Sequence, residues 1–198
     1  MLVRMRLGGI GSCLCRLILP VLAVFSVQAA NAGDRLTVCH GYSCYYKTRI
    51  DFGAADLRQI ASIMKSGASS PEAERRAVAK VVQFYERRAV AAVGIKDRPK
   101  SDFGRGRERG QMDCVDESTN TSSLLKLLAS RGLLKHHTVS RNVSRGFFAD
   151  GRYPHFTAVL VDPSGRKWAI DSWYEPGGGA PDVMPLDEWK RRGVGGVR

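Results

Sequence analysis

Three residues in the second half of the chain, Cys114, His155 and Asp171, are of the types that together catalyse acyl transfer. A thiol becomes an effective nucleophile when a nearby imidazole takes its proton, and a carboxylate can hold that imidazole in the useful orientation. Such a set attacks the carbonyl of an amide and forms a thioester intermediate. The order Cys, His, Asp is informative only if local structure brings the three side chains together.

The sequence around Cys114 predicts that its thiol lies in the first turn of a helix. Asp113 is a suitable N-cap, and apolar residues including Leu124 and Leu128 recur until the stop at Arg131-Gly132. Free N–H groups and the positive end of a helix dipole lower the pKa of a thiol and can bind an oxyanion. The alternative is a buried cysteine that only packs beneath the helix.

His155 and Asp171 are placed at the two ends of a predicted β-hairpin. Residues 155–161 form the first strand, 162–165 the turn and 166–173 the returning strand. In an antiparallel hairpin of this length, the imidazole and the carboxylate become neighbours at one edge of a sheet. Each residue also has a purely structural interpretation, as a histidine that starts a strand and as an aspartate that ends one in a turn.

Residues 1–32 have the layout of a secretory signal peptide. Positive charges precede an apolar run over 17–27, and Ala30-Asn31-Ala32 supplies small residues before a cleavage site. We therefore expect cleavage before Gly33 and export to the periplasm or the extracellular space. An uncleaved N-terminal anchor is the alternative. No later apolar run approaches the ~20 residues of a membrane span.

Export affects how the remaining cysteines are interpreted. Cys39 and Cys44 flank a turn-like segment, and two nearby cysteines in an oxidising compartment usually form a disulfide. That pairing leaves Cys114 as an odd thiol, which supports its role as a nucleophile. A metal site made of Cys39, His40 and Cys44 is the weaker alternative, because no second pair of ligands stands at a recognisable spacing. We expect neither a metal nor a cofactor.

Residues 108–175 resemble the transglutaminase-like superfamily, and more closely its bacterial cysteine-proteinase-like branch. The matching motifs are Asp113-Cys114-Val115-Asp116, His155-Phe156-Thr157-Ala158-Val159 and residues 165–172. The resemblance implies an α+β fold related to papain, with the cysteine-bearing helix packed on an antiparallel sheet that carries the histidine and the aspartate.

The same resemblance assigns roles to individual residues. It implies that Cys114 is the nucleophile, His155 the general base and acid, and Asp171 the residue that orients the imidazole. Gln111 is the nearest side chain that could serve the oxyanion, and Trp173 is a candidate for a wall of the substrate cleft.

The rest of the chain predicts a single domain over residues 33–198. Residues 33–94 form a hairpin and two helices, 95–110 an exposed basic loop, and 111–198 the catalytic core. The net charge of +12 would suit nucleic acid, but export and the lack of interleaved aromatic residues argue against that partner. A solvated loop is the first interpretation of 95–110, and contact with anionic envelope surfaces is the second.

The sequence thus predicts an exported, thiol-dependent acyl-transfer enzyme that acts on peptide, protein or peptidoglycan-type amide bonds. Water as the acceptor would make it a thiol protease or amidase, and an amine would make it a transglutaminase. A non-catalytic envelope binding module with the same fold is the alternative. A structural exported protein with a buried Cys114 is the third interpretation.

Overall fold

The computed structural model describes residues 34–101, 103–146 and 154–192, which form a mixed α+β structure with helices packed on antiparallel sheets. The predicted signal peptide lies outside these residues. In chain order the elements are β1 (Asp34–His40), β2 (Tyr46–Phe52), α1 (Ala54–Ser66), α2 (Pro71–Val93), α3 (Cys114–Ser130), β3 (Thr138–Arg145), β4 (His155–Val161), β5 (Lys167–Asp171), β6 (Asp182–Pro185) and α4 (Leu186–Arg191). Strands β1 and β2 form one sheet, and the other four form a second sheet in the order β3-β4-β5-β6.

The N-terminal hairpin confirms the prediction made from its sequence. Strands β1 and β2 pair antiparallel over their full length. Val38, Ile50 and Phe52 are buried and join the main hydrophobic core, to which α2 and α3 also contribute. Because side chains alternate between the two faces of a strand, this pattern leaves the opposite face of the hairpin to solvent.

Helix α2 is bounded by residues of types that favour helix ends. The Ser70 hydroxyl accepts a hydrogen bond from the N–H of Ala73 at 3.1 Å, and Pro71 occupies the first helical position. Gly94 ends the helix with a left-handed backbone (φ 80°), which glycine adopts without strain. Helices α1 and α2 pack together as scaffold. No helix within the described ranges is both long enough and apolar enough to cross a membrane.

Helix α3 lies between the hairpin and the four-stranded sheet and contacts β1, β3, β4 and β5. Asp113 is its N-cap, and its carboxylate accepts a hydrogen bond from the N–H of Asp116 at 2.8 Å. Because the helix is enclosed, even polar side chains such as Glu117, Asn120 and Thr121 are buried. These side chains must find hydrogen-bond partners inside the protein.

Strands β4 and β5 form the predicted hairpin, with Ala158 opposite Ile170 and Val161 opposite Lys167. The turn between them is held by Asp162, whose carboxylate accepts hydrogen bonds from backbone N–H groups two and four residues further on. This hairpin places the first residue of β4 and the last residue of β5 at the same end of the sheet.

Two strands of the larger sheet are not anticipated from the sequence. Strand β3 is mostly polar, and a register shift between Ser140 and Val143 interrupts its pairing with β4, so its alternation is weak. Strand β6 is only four residues long and follows a segment rich in Gly and Pro. It tolerates Pro185 because it pairs on one side only.

Candidate active site

The structure brings His155 and Asp171 into direct contact. The imidazole Nε2 and the carboxylate Oδ2 lie 2.8 Å apart, and both side chains are almost fully buried. A carboxylate only accepts hydrogen bonds, so Nε2 is assigned as the protonated nitrogen from this network. The neutral imidazole therefore has its lone pair on Nδ1. This is the tautomer in which Nδ1 can accept a proton from a nucleophile.

Two further donors fix the Asp171 carboxylate in place. The indole N–H of Trp189 donates to Oδ2 at 2.7 Å, and the backbone N–H of Trp173 donates to Oδ1 at 3.3 Å. Trp189 belongs to α4, and Arg145 of β3 lies over its ring and donates to its carbonyl oxygen. The donor role of Trp189 is missed by the sequence analysis, because nothing in the sequence links α4 to the end of β5.

The imidazole of His155 lies among three aromatic rings. The centroid distances are 4.5 Å to Trp173, 5.5 Å to Trp189 and 5.9 Å to Tyr174. Its Nδ1 is buried and has no hydrogen-bond partner within the described part of the chain. A buried, unpaired nitrogen is costly to stability, which makes this atom conspicuous. One ring nitrogen is therefore committed to Asp171 and the other is available.

Cys114 is the first residue of α3, as the sequence predicts, and it is the free cysteine of the described chain. Its sulfur lies 3.8 Å from the carbonyl oxygen of Pro154, and the N–H of Phe156 acts as a hydrogen-bond donor to it. The thiol thus lies against the backbone on both sides of His155. It also packs against the rings of Trp173 and Tyr174.

The expected lowering of the thiol pKa is wrong for this conformation. Burial first, and then the negative charges of Asp113 and Asp171, raise the pKa of Cys114 to about 11. The N–H groups of Phe156 and of Cys114 itself act in the opposite direction but do not compensate. A thiol with this pKa carries its proton at neutral pH in this conformation.

The two remaining site candidates from the sequence have other partners. The Gln111 side chain donates to the Lys96 carbonyl oxygen and accepts from the N–H of Arg98, both at 3.4 Å. The indole N–H of Trp173 donates to the Ser101 hydroxyl at 2.7 Å. Trp173 is a wall of the site and its indole N–H is taken by Ser101, whereas the Gln111 amide has one of its two N–H groups bonded to the Lys96 oxygen. The N–H groups in the first turn of α3 are the better donors, since a helix offers them no internal acceptor.

The predicted disulfide between Cys39 and Cys44 is present. Cys39, Cys44 and Asp116 place potential ligand atoms within 4.8 Å of one another, but both sulfurs belong to the disulfide. The ring nitrogens of His40 are also occupied, by the Thr48 hydroxyl at 2.9 Å and the Gly110 N–H at 3.1 Å. The residues present therefore do not fit the alternative metal site.

The turn closed by this disulfide is anchored to the start of α3. Residues 41–44 all have positive φ, between 51° and 85°. This conformation directs the N–H groups of Tyr42 and Cys44 to the Asp116 carboxylate, at 2.8 and 2.5 Å, and the N–H of Ser43 to Asp113 at 3.1 Å. Successive N–H groups that converge in this way form a site for an anion, which here is supplied by the protein itself.

A cluster of three buried carboxyl groups, Glu86, Asp97 and Glu117, is connected to this site through Ser172, which follows Asp171, and through helix α3. Glu117 hydrogen-bonds Asp97, Asp97 accepts from the Met112 N–H at 2.8 Å, and Glu86 hydrogen-bonds Ser172. Burial raises the pKa of Glu86 and of Asp97 to about 7, and raises that of Glu117 well above its ordinary value. At neutral pH the cluster therefore retains protons.

The sequence analysis does not anticipate the carboxyl cluster. Its members come from α2, from the basic loop and from α3, and only tertiary packing brings them together. The one local signal is Glu117, an acid three residues after the thiol and therefore on nearly the same face of α3.

Comparisons with known protein families, with curated proteins and with solved structures returned no match to this chain.

Proposed function

We propose that this protein is an exported, thiol-dependent acyl-transfer enzyme on a papain- and transglutaminase-like core. The observation that carries the proposal is that the two ring nitrogens of His155 differ in their hydrogen bonding. Its Nε2 is bound to Asp171 at 2.8 Å, while its buried Nδ1 has no hydrogen-bond partner among the described residues. The free thiol of Cys114 lies against the backbone of Pro154 and Phe156, the two residues that flank His155. A purely structural histidine has no need for a buried nitrogen to stay unpaired.

In the proposed reaction, His155 first acts as a general base. Its Nδ1 takes the proton of the Cys114 thiol while the sulfur attacks the carbonyl carbon of an amide. The carbonyl oxygen gains the negative charge, which the N–H groups in the first turn of α3 stabilise. Asp171 stabilises the positive imidazolium without taking its proton, and Trp189 holds the carboxylate in position.

The second half of the reaction returns the enzyme to its starting state. The imidazolium gives its proton to the leaving nitrogen, the C–N bond breaks, and an acyl thioester remains on Cys114. Water or an amine then attacks the thioester while His155 takes its proton, and the proton passes back to the sulfur as it leaves. Water gives hydrolysis of a peptide, isopeptide or other amide bond, and an amine gives acyl transfer.

The disulfide supports the exported location. Structural disulfides persist in oxidising compartments and are rare where thiols are kept reduced. The bridge between Cys39 and Cys44 is therefore consistent with the signal peptide that the sequence predicts. A periplasmic or extracellular setting suits peptide, protein and peptidoglycan-type amides as substrates.

A second candidate function is a non-catalytic envelope binding module. The observation that favours it is the state of Cys114, which is 5 % exposed and has a pKa raised to about 11. A thiol that stays buried and protonated does not attack a substrate. The two candidates therefore differ in whether the native thiol is reactive.

Alkylation of the native protein distinguishes them. We expect iodoacetamide to label Cys114 in the folded protein at pH 7.5, and the rate to fall at least tenfold in His155→Ala because the proton acceptor is lost. His136→Ala is the matched control, since that imidazole only reaches a backbone carbonyl near α1. Peptide mass spectrometry locates the label, and circular dichroism checks that each variant is folded.

Labelling that occurs only in denaturant, or at the same rate in His155→Ala as in the parent, would exclude the catalytic proposal. If labelling behaves as expected, Asp171→Ala can be incubated with an envelope extract. A slowed enzyme of this kind should accumulate a thioester, and mass spectrometry of the adduct on Cys114 would identify the acyl group.

A further inference from the structure

The basic loop, residues 95–110, is attached to the candidate active site at two points. At one end, the Lys100 N–H donates to the Trp173 carbonyl oxygen at 2.8 Å, and the Ser101 hydroxyl accepts from the Trp173 indole. At the other end, the Arg107 N–H donates to the Gly41 carbonyl oxygen at 3.0 Å. Trp173 packs on Cys114, and the turn that contains Gly41 is bound to the first turn of α3. The loop therefore lies alongside the nucleophile.

The loop is also held rigidly at its base. The Asp97 carboxylate accepts from the Met112 N–H, and its carbonyl oxygen accepts from the Gly177 N–H at 3.1 Å. The Gly110 N–H donates to His40. A loop fixed by this many backbone contacts presents its side chains in defined positions, in contrast to the mobile basic tails that bind polyanions without selectivity.

The outward face of the loop carries an excess of positive charge. Its sequence contains six Lys or Arg residues and three acids, and of these acids Asp97 is buried. Glu108 pairs with Arg105 at 2.8 Å, and Asp102 lies outside the described residues. The exposed cations are Lys96, Arg98, Lys100, Arg107 and Arg109. Several exposed cations on a loop attached to a candidate reaction site favour a substrate that carries negative charge near the reacting bond.

Two apolar side chains on the same surface indicate what kind of anion it is. Among the described residues, Tyr45 and Ile95 are the large hydrophobic residues that are exposed, at 55 % and 41 %. The Arg107 guanidinium lies 5.0 Å from the Tyr45 ring, and Ile95 lies against Gly110. Exposed aromatic and Arg side chains are enriched where proteins bind other polypeptides. An acidic polypeptide can use both features, because it carries carboxylates and apolar side chains on the same chain.

We propose that the basic loop binds an acidic polypeptide segment of the substrate and thereby presents to Cys114 an amide bond next to that segment. This inference rests on the proposed function, because it names the substrate class of the same site. Binding of the acidic segment can nevertheless be measured without any turnover.

The experiment uses the Cys114→Ser variant of the mature chain, which binds without reacting. The probe is a fluorescein-labelled decapeptide in which Glu alternates with Ala, and its partner has Gln in place of every Glu. By fluorescence anisotropy at low salt, the acidic peptide should bind at least tenfold more tightly than the Gln peptide. Raising the salt to 0.3 M should remove most of this difference, because exposed charges are screened.

Two sets of substitutions locate the binding surface. Lys100→Gln, Arg107→Gln and Arg109→Gln together should weaken acidic-peptide binding about tenfold, since each rim charge contributes a fraction of a kcal/mol to about one. The matched control removes the same charge from exposed positions on α1, α2 and α3, as Arg58→Gln, Lys80→Gln and Lys126→Gln. The control should retain nearly all of the affinity.

Three results would overturn the inference. The first is an equal loss of affinity for the acidic peptide in the two triple variants. The second is equal affinity of the protein for the Glu peptide and the Gln peptide. The third is that the loop is needed for binding to phosphatidylglycerol vesicles and not for binding to the acidic peptide. Failure of the proposed function looks different. In that case the native parent protein would not be alkylated at Cys114, whatever the peptides do.

Discussion

The buried carboxyl cluster makes a quantitative prediction about stability and pH. Glu117 is enclosed with Glu86 and Asp97, and burial holds its pKa well above the ordinary value of 4.5. In the unfolded chain the carboxyl group titrates normally. Above pH 4.5, and up to this raised pKa, the folded protein therefore binds more protons than the unfolded chain, and the free energy of unfolding falls as the pH rises.

The size of this effect follows from the width of the pH window. Each pH unit over which the folded state holds one extra proton costs about 1.4 kcal/mol, so one carboxyl group that keeps its proton from pH 4.5 to 7 costs about 3 kcal/mol. Glu117→Gln replaces the protonated carboxyl group by a neutral amide of the same shape, which can still donate to Asp97. We expect the variant to lie within about 1 kcal/mol of the parent at pH 5 and to become up to about 3 kcal/mol more stable than the parent by pH 7.

Urea unfolding followed by tryptophan fluorescence at pH 5, 6, 7 and 8 measures this difference. Glu72→Gln is the control, because it removes an equal charge from an exposed position where the pKa is lowered by hydrogen bonds, the backbone N–H of Glu72 first. It should give no gain in stability at pH 8. The reasoning is refuted if Glu117→Gln is no more stable than the parent at pH 8, or if its advantage is the same at pH 5.

Three further predictions test the site and its supports. Cys114→Ser should abolish turnover of any substrate found, yet leave the free energy of unfolding within about 1 kcal/mol of the parent, because the two side chains differ little in volume. Trp189→Phe removes the N–H that holds Asp171, so iodoacetamide labelling of Cys114 should slow several-fold, at a cost of about 1–2 kcal/mol in urea unfolding; an unchanged labelling rate would contradict the positioning role. Cys39→Ala with Cys44→Ala should lower the free energy of unfolding by about 2 kcal/mol, as expected for so short a loop; in the parent, non-reduced peptide mapping should link these two cysteines and leave Cys114 free.

The parts of the fold that the sequence predicts are those with strong local signals. Ser70, Pro71 and Gly94 mark the two ends of α2, and Asp113 marks the start of α3. The turn after β4 carries its own hydrogen-bonding aspartate, which fixes the hairpin and therefore the meeting of β4 and β5 at one end of the sheet. The contact between His155 and Asp171 follows from that local geometry.

The parts that the sequence does not predict depend on packing between distant segments. The donor on Trp189 reaches Asp171 only because β6 and α4 fold back over β5, and β6 is too short to show a period of its own. The sign of the Cys114 pKa change depends on a competition between the helix N-terminus and burial. The sequence shows that the thiol lies at a helix N-terminus. It does not show how deeply the sulfur is buried, because that depends on its packing against Trp173 and Tyr174.

The left-handed turn at residues 41–44 has a consequence for the order in which the chain assembles. Its bridge joins cysteines five positions apart, so oxidation can occur as soon as this segment meets an oxidising environment. Its backbone shape, however, is unfavourable for residues other than glycine and depends on Asp113 and Asp116, about 70 positions later. We therefore expect the covalent link to form early and the final turn to form only when α3, which begins at Cys114, docks against it.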